Sequence, residues 1–376
     1  MEINKKIPVF DFKLGDKEKE FVNDCLETSF IGQGSYVKKF EKVFSNFVNC
    51  KYGITTTSGT TALHLACKTL GIKKEDQVLV SSSTNMACAF SVDYCGAIPI
   101  PIDIERETWQ MDVTKIEEKI NEKTKAIMVV HLFGHPVDMD SVLKISKTHN
   151  LKIIEDCAEA HGVEYKGKKV GSIGDIGAFS FFSNKTITCG EGGMVVTNSK
   201  ELAEKARSLK NLSFGEVNKF MHTDIGFNYR MPNISAALGL GQFAQINKIL
   251  SEKKRIYNRY KKNLNNVKGV RIPLIKEWAT RYIMWVFNIY LDNNFPLTRD
   301  QLVKQLEKKN IETRNAFVPI NKQKILIKKY GLFKEEDCPN ANYIMDNGFY
   351  LPSGNNIKNE EIDFVCNKII EHSKSI

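Results

Sequence analysis

Short apolar runs alternate with amphipathic stretches through the first two thirds of the chain. The apolar runs have the length and composition of strands buried on both faces, and they cover residues 77–81, 98–102, 126–132 and 152–155. The amphipathic stretches place apolar residues at helical spacing, and they cover residues 58–70, 86–95, 113–120 and 140–148. This alternation predicts an α/β fold.

The pattern becomes helical after residue 197. Apolar positions predict helices over 199–211 and 232–250, and the second helix has a proline near its first turn, where proline is tolerated. Between them, the polar, glycine-containing stretch at 213–223 is typical of a loop.

Beyond residue 251 the chain is rich in lysine and asparagine. This part predicts a basic helix, a strand at 282–291, and helices at 299–308 and 359–373. We therefore expect a large α/β domain over 1–250, which includes an N-terminal arm, and a smaller α+β domain over 251–376.

The composition is that of an ordinary globular protein, with 376 residues, 42% hydrophobic and 26% charged. The N-terminus has no apolar stretch long enough for a signal peptide, and no run approaches the roughly 18 apolar residues of a membrane span. We therefore expect a cytoplasmic protein without a membrane partner. Nine scattered cysteines without a CxxC pair predict reduced, buried thiols and no metal site.

The formal charge of +10 comes mainly from lysines spread along the whole chain. A nucleic-acid-binding protein would concentrate basic and aromatic residues in one module, and the sequence contains no such module. We therefore expect no nucleic-acid partner. A solvated lysine-rich surface accounts for the charge, and attraction of anionic small molecules is the alternative.

Residues that could carry chemistry are concentrated between 154 and 197. The run IIEDCAEAHG ends an apolar strand on acidic residues, and parallel sheets place ligand groups at the carboxyl ends of their strands. A buried Asp156 would need a cationic partner there, which the protonated pyridine nitrogen of pyridoxal 5'-phosphate would supply. A helix cap is the ordinary alternative for an isolated aspartate.

Lys185 follows in the run GDIGAFSFFSNK, among small and aromatic residues. A lysine that forms a Schiff base must be partly desolvated, so that its neutral amine is accessible, and this setting predicts that. Most lysines are solvated surface charges, so Lys185 alone would be a weak candidate. The glycines of the following TITCGEGGMVVT strengthen it, because they permit a tight turn beside a bulky ligand.

A phosphate group needs hydrogen-bond donors, and the run Ser58-Gly59-Thr60-Thr61 places them at the start of a predicted helix. Free backbone amides and the positive end of the helix dipole favour an anion there. An ordinary helix cap is the alternative, and the two interpretations are compatible. Ser180 could add a hydroxyl group to the same cradle.

Four motifs in order carry a family resemblance. They are TSGTTALHLA, IIEDCAEAHG, GSIGDIGAFSFFSNKTITCGEGGMVVTN and GFNYRMPNISAALGLGQ. Together they resemble the DegT/DnrJ/EryC1/StrS sugar aminotransferases over nearly the whole chain. The resemblance implies fold type I, with a mostly parallel seven-stranded sheet in the large domain and a smaller C-terminal domain. It also implies a homodimer with active sites shared between subunits.

The resemblance also implies roles for individual residues. Lys185 is similar to the lysine that carries the cofactor, and Asp156 to the partner of the pyridine nitrogen. Gly59, Thr60 and Ser180 match the phosphate cradle, and Glu159 matches a position beside the cofactor's 3-hydroxyl or the incoming amine. Asn228 resembles the residue that reaches the phosphate from the neighbouring subunit. The implied substrate-binding residues are Arg230, His161, Phe317 and Asn321, but for His161 and His131 a satisfied structural histidine is the favoured interpretation.

The sequence departs from the family pattern in three places. Asn85 stands where members usually carry an aromatic residue that stacks on the pyridine ring, so stacking is lost or a hydrogen bond replaces it. The common FHPMH segment reads FVPIN, ending at Asn321, which removes two imidazoles expected near the sugar. His135 replaces a frequent glutamine. These departures concern the substrate more than the cofactor.

The implied reaction is a ping-pong transamination. L-glutamate would leave its amino group on the cofactor as pyridoxamine 5'-phosphate, and a keto sugar nucleotide of the GDP-4-keto-6-deoxymannose type would then take it, for surface polysaccharide synthesis. A small keto phosphate, dihydroxyacetone phosphate, is the alternative acceptor and would yield serinol phosphate. A dehydratase of the same fold would carry histidine in place of Lys185, so the lysine argues against that activity. A non-catalytic regulatory relative that binds the cofactor without turnover remains open.

Overall fold

The structure is a computed structural model that describes residues 5–215 and 217–374. Its helices are α1 (Asp16–Glu27), α2 (Ser35–Phe47), α3 (Gly59–Thr69), α4 (Ala87–Asp93), α5 (Met139–His149), α6 (Lys200–Lys210), α7 (Asn233–Phe243), α8 (Ile246–Leu264), α9 (Arg299–Glu307), α10 (Lys324–Tyr330), α11 (Pro339–Asn347) and α12 (Asn359–Ser373). Its strands are β1 (Tyr52–Thr56), β2 (Gln77–Ser81), β3 (Ile98–Ile102), β4 (Thr124–Val130), β5 (Lys152–Asp156), β6 (Glu164–Tyr165), β7 (Lys168–Lys169), β8 (Ile176–Ser180), β9 (Gly193–Thr197), β10 (Val270–Arg271), β11 (Phe287–Leu291), β12 (Arg314–Asn315) and β13 (Gly348–Leu351).

A seven-stranded sheet forms the centre of the large domain, in the order β1-β9-β8-β5-β4-β2-β3. The pairs β2–β3, β2–β4, β4–β5 and β5–β8 are parallel, whereas β9 runs antiparallel to both β8 and β1. The predicted α/β class with a mostly parallel seven-stranded sheet is therefore confirmed. The strands predicted at 77–81 and 98–102 have those bounds in the structure.

Helices cover both faces of this sheet, which explains the nearly continuous apolar runs of its strands. Along β4, Met128 packs into the cluster formed with α3, α4 and α6, and Val129 packs into the opposite cluster with α2, α5 and α7. The carboxyl ends of β5 and β8 meet at one edge, because the two strands are parallel neighbours. Ligand groups at this edge are the usual arrangement in such sheets.

A four-stranded antiparallel sheet, in the order β10-β11-β13-β12, forms the smaller C-terminal part. Its core includes Tyr260 of α8, Phe287 of β11 and Phe349 of β13. The N-terminal segment also packs here, because Ile7 forms a parallel bridge with Ile311. Ile7 is buried in the same core, so this part of the arm associates with the C-terminal part of the chain.

The helix predicted at 232–250 is wrong in its bounds, because the structure has two helices there, α7 and α8. The break occurs at Gln245, whose backbone is not helical and whose side chain donates hydrogen bonds to Glu18. Helix α8 continues past the predicted domain boundary at 250/251. Its Leu250 packs on the large core and its Ile256 on the small one, so a single helix joins the two cores.

Two other segments also differ from the sequence pattern. Residues 113–120 form two short 3₁₀ turns, Val113–Lys115 and Glu117–Lys119, and the first is capped by the Asp112 side chain, which accepts a hydrogen bond from the Thr114 amide. The strand predicted at 282–291 begins only at Phe287. The backbone carbonyl of Trp285, just before it, accepts a hydrogen bond from a buried lysine, Lys253, at 3.0 Å.

His131, Glu155 and Cys157 lie close enough to suggest a metal site, but the carboxylate is already fully hydrogen-bonded. It accepts from the backbone amides of residues 171, 173 and 174 and from His131 Nε2 at 3.1 Å. His131 Nδ1 accepts from the Val137 amide at 3.2 Å, which leaves Nε2 as the donor. The cluster therefore holds the fold together, with His131 in a structural role.

All nine cysteines are free and buried, which confirms the prediction of reduced, buried thiols. Across residues 5–215 and 217–374, no helix combines the length and apolar character that crossing a bilayer requires.

The burial of the central sheet can be tested by measuring the stability of a core variant. Leu79 of β2 is fully buried, so Leu79→Ala should lower the free energy of unfolding by about 2–5 kcal/mol, through lost apolar burial and the cavity left behind. Leu332→Ala is the matched control, because Leu332 is 54% exposed, and it should change stability by less than about 0.5 kcal/mol. Urea unfolding followed by circular dichroism measures both, and equal losses would contradict the assigned core.

Candidate active site

A cavity of about 480 Å³ opens at the carboxyl ends of β5 and β8, beside the first turn of α3. The predicted residues that line it are Ser58, Gly59, Thr60, Asn85, Asp156, Glu159, Ser180, Lys185 and Phe317. The structure therefore brings together an amine, two carboxylates and a helix N-terminus from separate segments of the chain.

Lys185 lies in the turn after β8, and its side chain is only 11% exposed. Its Nζ lies 3.3 Å from Glu159 Oε1 and 3.9 Å from the centroid of the Trp285 ring. The carboxylate pairs with the amine, and the electron-rich face of the indole covers it. The amine is therefore oriented and largely shielded from water, and it still faces the cavity.

Glu159 is held from both sides. Its Oε1 accepts from Lys185, and its Oε2 accepts from the Phe133 amide at 3.0 Å. Burial raises the pKa of the Glu159 carboxyl, and the nearby Lys185 charge opposes that rise. Phe133 in turn stacks on Trp285 and Phe317, at ring separations of 6.0 and 5.9 Å. The ion pair thus lies beside a packed aromatic group.

Asp156 is the last residue of β5 and is buried at the edge of the cavity. Its Oδ1 accepts from the Ala158 amide at 2.9 Å, and its Oδ2 accepts from the Cys88 thiol at 2.8 Å. Both donors are neutral. A cation bound in the cavity would therefore provide this buried carboxylate with an ionic partner.

The first turn of α3 forms the opposite side of the cavity. Ser58 caps the helix, because its Oγ accepts from the Thr61 amide at 3.2 Å and its own amide donates to Thr61 Oγ1 at 2.9 Å. The amides of Gly59 and Thr60 open the helix, so they have no acceptor within it and suit an anion. A Cβ at residue 59 would lie 2.6 Å from the Ser180 Cβ, so only glycine fits there.

These groups fit pyridoxal 5'-phosphate. An amine for the Schiff base, a carboxylate for the ring nitrogen and backbone amides for the phosphate line one cavity, as the sequence predicted for Lys185, Asp156 and Gly59–Thr60. The amine, the carboxylate and the backbone amides match the aldehyde, the ring nitrogen and the phosphate of that cofactor, respectively.

Trp285 and Tyr350 also line the cavity, and the sequence assigned neither of them an individual role. Trp285 Nε1 donates to the Asn184 carbonyl at 2.8 Å, so the indole contacts the turn that carries Lys185. Trp285 stands in the apolar segment YIMWVF, which has the pattern of an ordinary strand. That pattern does not indicate that Trp285 contacts the turn of Lys185, because the contact depends on how the two cores pack together.

Two of the residues implied for substrate binding lie outside the cavity, and for His161 this agrees with the structural interpretation. His161 is fully buried among the rings of Phe44, Phe179 and Phe181, and burial lowers its pKa to about 3. It is therefore a neutral core residue. Asn321 is also fully buried, and its Nδ2 donates to the carbonyls of Lys334 and Glu335, at 3.3 and 3.1 Å. It holds a loop of the small domain instead of facing the cavity.

His135 is likewise structural. Its Nδ1 donates to the Pro136 carbonyl at 2.9 Å, its Nε2 accepts from the Lys276 amide at 3.1 Å, and burial lowers its pKa to about 4. Asn85 does line the cavity, and its Oδ1 accepts from the Ala87 amide at 2.9 Å. The side-chain oxygen of Asn85 therefore already accepts a hydrogen bond from the backbone two residues further on.

Asn228 and Arg230 lie outside the cavity of their own chain. Asn228 is exposed and forms a backbone bridge with Asn211, whose side chain also accepts from Arg230 Nη1 at 2.7 Å. The predicted loop at 213–223 precedes them, and its residue 216 lies outside the described residues. The roles expected for Asn228 and Arg230 require a second subunit and stay predictions.

Comparisons with known proteins agree with this site. Residues 13–370 match the model of the DegT/DnrJ/EryC1/StrS aminotransferase family. A GDP-perosamine synthase of Escherichia coli O157:H7 is 42% identical over 368 residues, which cover 98% of each chain. A GDP-perosamine synthase of Caulobacter vibrioides is 38% identical, with 96% of each chain covered.

Solved structures give the same result. The structure of Streptomyces venezuelae DesV in complex with a ketimine intermediate superposes with a TM-score of 0.92 at 27% identity, covering 99% of this chain and 100% of that one. An aminotransferase from Psychrobacter cryohalolentis gives a TM-score of 0.88, also at 27% identity, with 97% and 98% covered. Both the sequence matches and the cavity identify the cofactor as pyridoxal 5'-phosphate. The chain belongs to the DegT/DnrJ/EryC1/StrS aminotransferase family and is a pyridoxal phosphate-dependent aminotransferase.

Proposed function

We propose that this enzyme transfers the amino group of L-glutamate to the keto carbon of a GDP-linked sugar of the 4-keto-6-deoxymannose type, in the synthesis of a surface polysaccharide. The observation that carries the proposal is the sequence identity of 42% and 38% to GDP-perosamine synthases from two bacteria, which extends over nearly the full length of the chain. A third such relative, from Vibrio cholerae, is 38% identical over 366 residues.

The bound cofactor supplies an electron sink that spreads the negative charge developing on the reacting carbon. Lys185 would hold the cofactor through Nζ. The same amine would act as the base that takes the proton from the donor's Cα and as the acid that gives a proton to the acceptor's carbon. Glu159, 3.3 Å away, keeps that amine oriented toward the cavity.

Asp156 would keep the ring nitrogen protonated, because its buried carboxylate stabilises a cation there. The amides of Gly59 and Thr60, with the Ser180 hydroxyl, would bind the phosphate. Trp285 covers Lys185 and excludes water from the amine.

We propose a homodimer, in which Asn228 reaches the phosphate in a second copy of the chain and Arg230 contributes to substrate binding there. The exposure of Asn228 supports this arrangement, as do the exposed apolar side chains of Phe220, Met221 and Ile225 just before it. We also propose that the enzyme works in the cytoplasm, since nine free buried thiols suit a reducing compartment.

The first prediction concerns Lys185. Lys185→Ala should abolish the visible absorption band of the bound cofactor and lower transamination by at least about 10³-fold, because no other amine replaces Nζ. Borohydride reduction of the wild type should add the cofactor's mass to the peptide that contains residue 185. Lys185→Arg keeps the charge and cannot form the imine, so it should behave like the alanine variant. Cofactor found on another lysine would overturn the assignment.

A second prediction concerns the ring-nitrogen partner. Asp156→Asn keeps the shape and removes the charge, so the rate of cofactor conversion by glutamate should fall by roughly 10²- to 10³-fold. The melting temperature should change little. Asp300→Asn is the control, since Asp300 is 70% exposed and does not line the cavity. Single-turnover absorbance measures the rate, and an Asp156→Asn variant with wild-type kinetics would contradict the pairing.

The acceptor can be identified by direct competition. With glutamate as donor, the value of kcat/KM for GDP-4-keto-6-deoxymannose should exceed that for dihydroxyacetone phosphate by roughly tenfold or more. Mass spectrometry would detect either amino product. If the enzyme prefers dihydroxyacetone phosphate, then the small keto phosphate is the acceptor and the proposed sugar nucleotide is not. Failure of glutamate to aminate the cofactor would instead favour a regulatory role, as in the 32% identical relative named a pleiotropic regulatory protein, from Geobacillus stearothermophilus.

A further inference from the structure

Cys88 contacts Asp156 but does not line the cavity. It is fully buried in α4, and its Sγ is 2.8 Å from Asp156 Oδ2. On its other side, Sγ is 3.2 Å from the Thr84 hydroxyl oxygen, and Thr84 itself lines the cavity. Thr84, Cys88 and Asp156 are thus connected in that order by contacts between their side chains.

The proton in this contact belongs to the sulfur. Burial and the negative charge of Asp156 both raise the pKa of the Cys88 thiol well above its usual range, so the group stays S–H. A thiol that faces a carboxylate acts as the donor. Since the Thr84 hydroxyl can donate to the sulfur, the hydrogen bonds all point in one direction, toward Asp156.

The second carboxylate oxygen is fixed independently, because Asp156 Oδ1 accepts from the Ala158 amide at 2.9 Å. With one donor on each oxygen, the plane of the carboxylate cannot rotate without breaking a hydrogen bond. A group that must meet a planar ring nitrogen needs such constraint, since small errors of distance and angle weaken the contact.

We propose that Cys88 is a positioning residue, whose thiol orients the Asp156 carboxylate toward the ring nitrogen of the cofactor. The inference rests on the proposed pairing of Asp156 with that nitrogen. Cys88 does not line the cavity, so it acts only through Asp156.

A series of substitutions at residue 88 separates this role from packing. Cys88→Ala and Cys88→Val both remove the donor, and valine also keeps the site filled. Cys88→Ser keeps a donor. We expect the alanine and valine variants to lower the rate of cofactor conversion by glutamate about five- to twentyfold, as loss of one hydrogen bond to a charged group predicts. The serine variant should stay within about threefold of the wild type.

Two readouts do not depend on turnover. The dissociation constant of pyridoxal 5'-phosphate for the apoenzyme should rise about fivefold or more in the alanine and valine variants, and not in the serine variant. With the ring nitrogen isotopically labelled, its chemical shift should move toward the unprotonated value in the same two variants. Cys366→Ala, which removes an equally buried thiol in α12, should change neither measurement.

The outcomes are distinguishable. If the alanine, valine and serine variants all match the wild type, or if serine fails as badly as alanine and valine, then Cys88 has no positioning role. If alanine fails to fold, the comparison of valine with serine still decides the question, because both occupy the thiol's place. A wild type without cofactor on Lys185 would overturn the proposed function itself, whatever the variants at residue 88 show.

Discussion

Three ionisable groups, Lys185, Glu159 and Asp156, are kept largely out of water at one edge of an apolar sheet, and the site depends on how their charges are compensated. Burial of a lone charge costs several kcal/mol, so each group needs partners supplied by the fold. Glu159 has the Lys185 amine and a backbone amide, and Asp156 has a thiol and a backbone amide. Of the three, Asp156 is the one whose hydrogen-bond partners are all neutral, which is why it suits a cationic ligand.

The fold supplies these partners through strand order. Because β5 and β8 are parallel neighbours, Asp156 and Ser180 reach the same edge, and the turn after β8 returns Lys185 to it. The small part of the chain closes the site with Trp285. Its position depends on Lys253, a buried lysine whose Nζ donates to the carbonyls of Trp285 and Ser353 at 3.0 and 2.7 Å. Burial lowers the pKa of Lys253 to about 7, because it disfavours the charged ammonium form.

The sequence predicted those parts of the structure that are determined locally or by burial on both faces. The strands at 77–81 and 98–102 and the cap at Ser58 follow from local pattern, and so do Lys185 and Asp156 as residues that follow or end apolar strands. The burial of Asn321 was not predicted, and the structural role favoured for His161 did not include its neighbours, because the local pattern does not reveal which segments surround either side chain. The aromatic rings around His161 come from α2, from β8 and from the residue just after β8, and the carbonyls that bind Asn321 come from a loop of the small domain.

Asn85 shows which part of the cavity the family resemblance left undetermined. The resemblance left open whether a polar residue replaces ring stacking with a hydrogen bond, and the side-chain oxygen proves to be bound to the Ala87 amide. The aromatic surface of the cavity lies elsewhere, in Phe182, Trp285, Phe317 and Tyr350. Three of these four rings belong to the C-terminal part of the chain, where local sequence patterns were least informative. The groups that fit the cofactor therefore lie on or beside the large sheet, whereas most of the aromatic surface of the cavity comes from the C-terminal part of the chain.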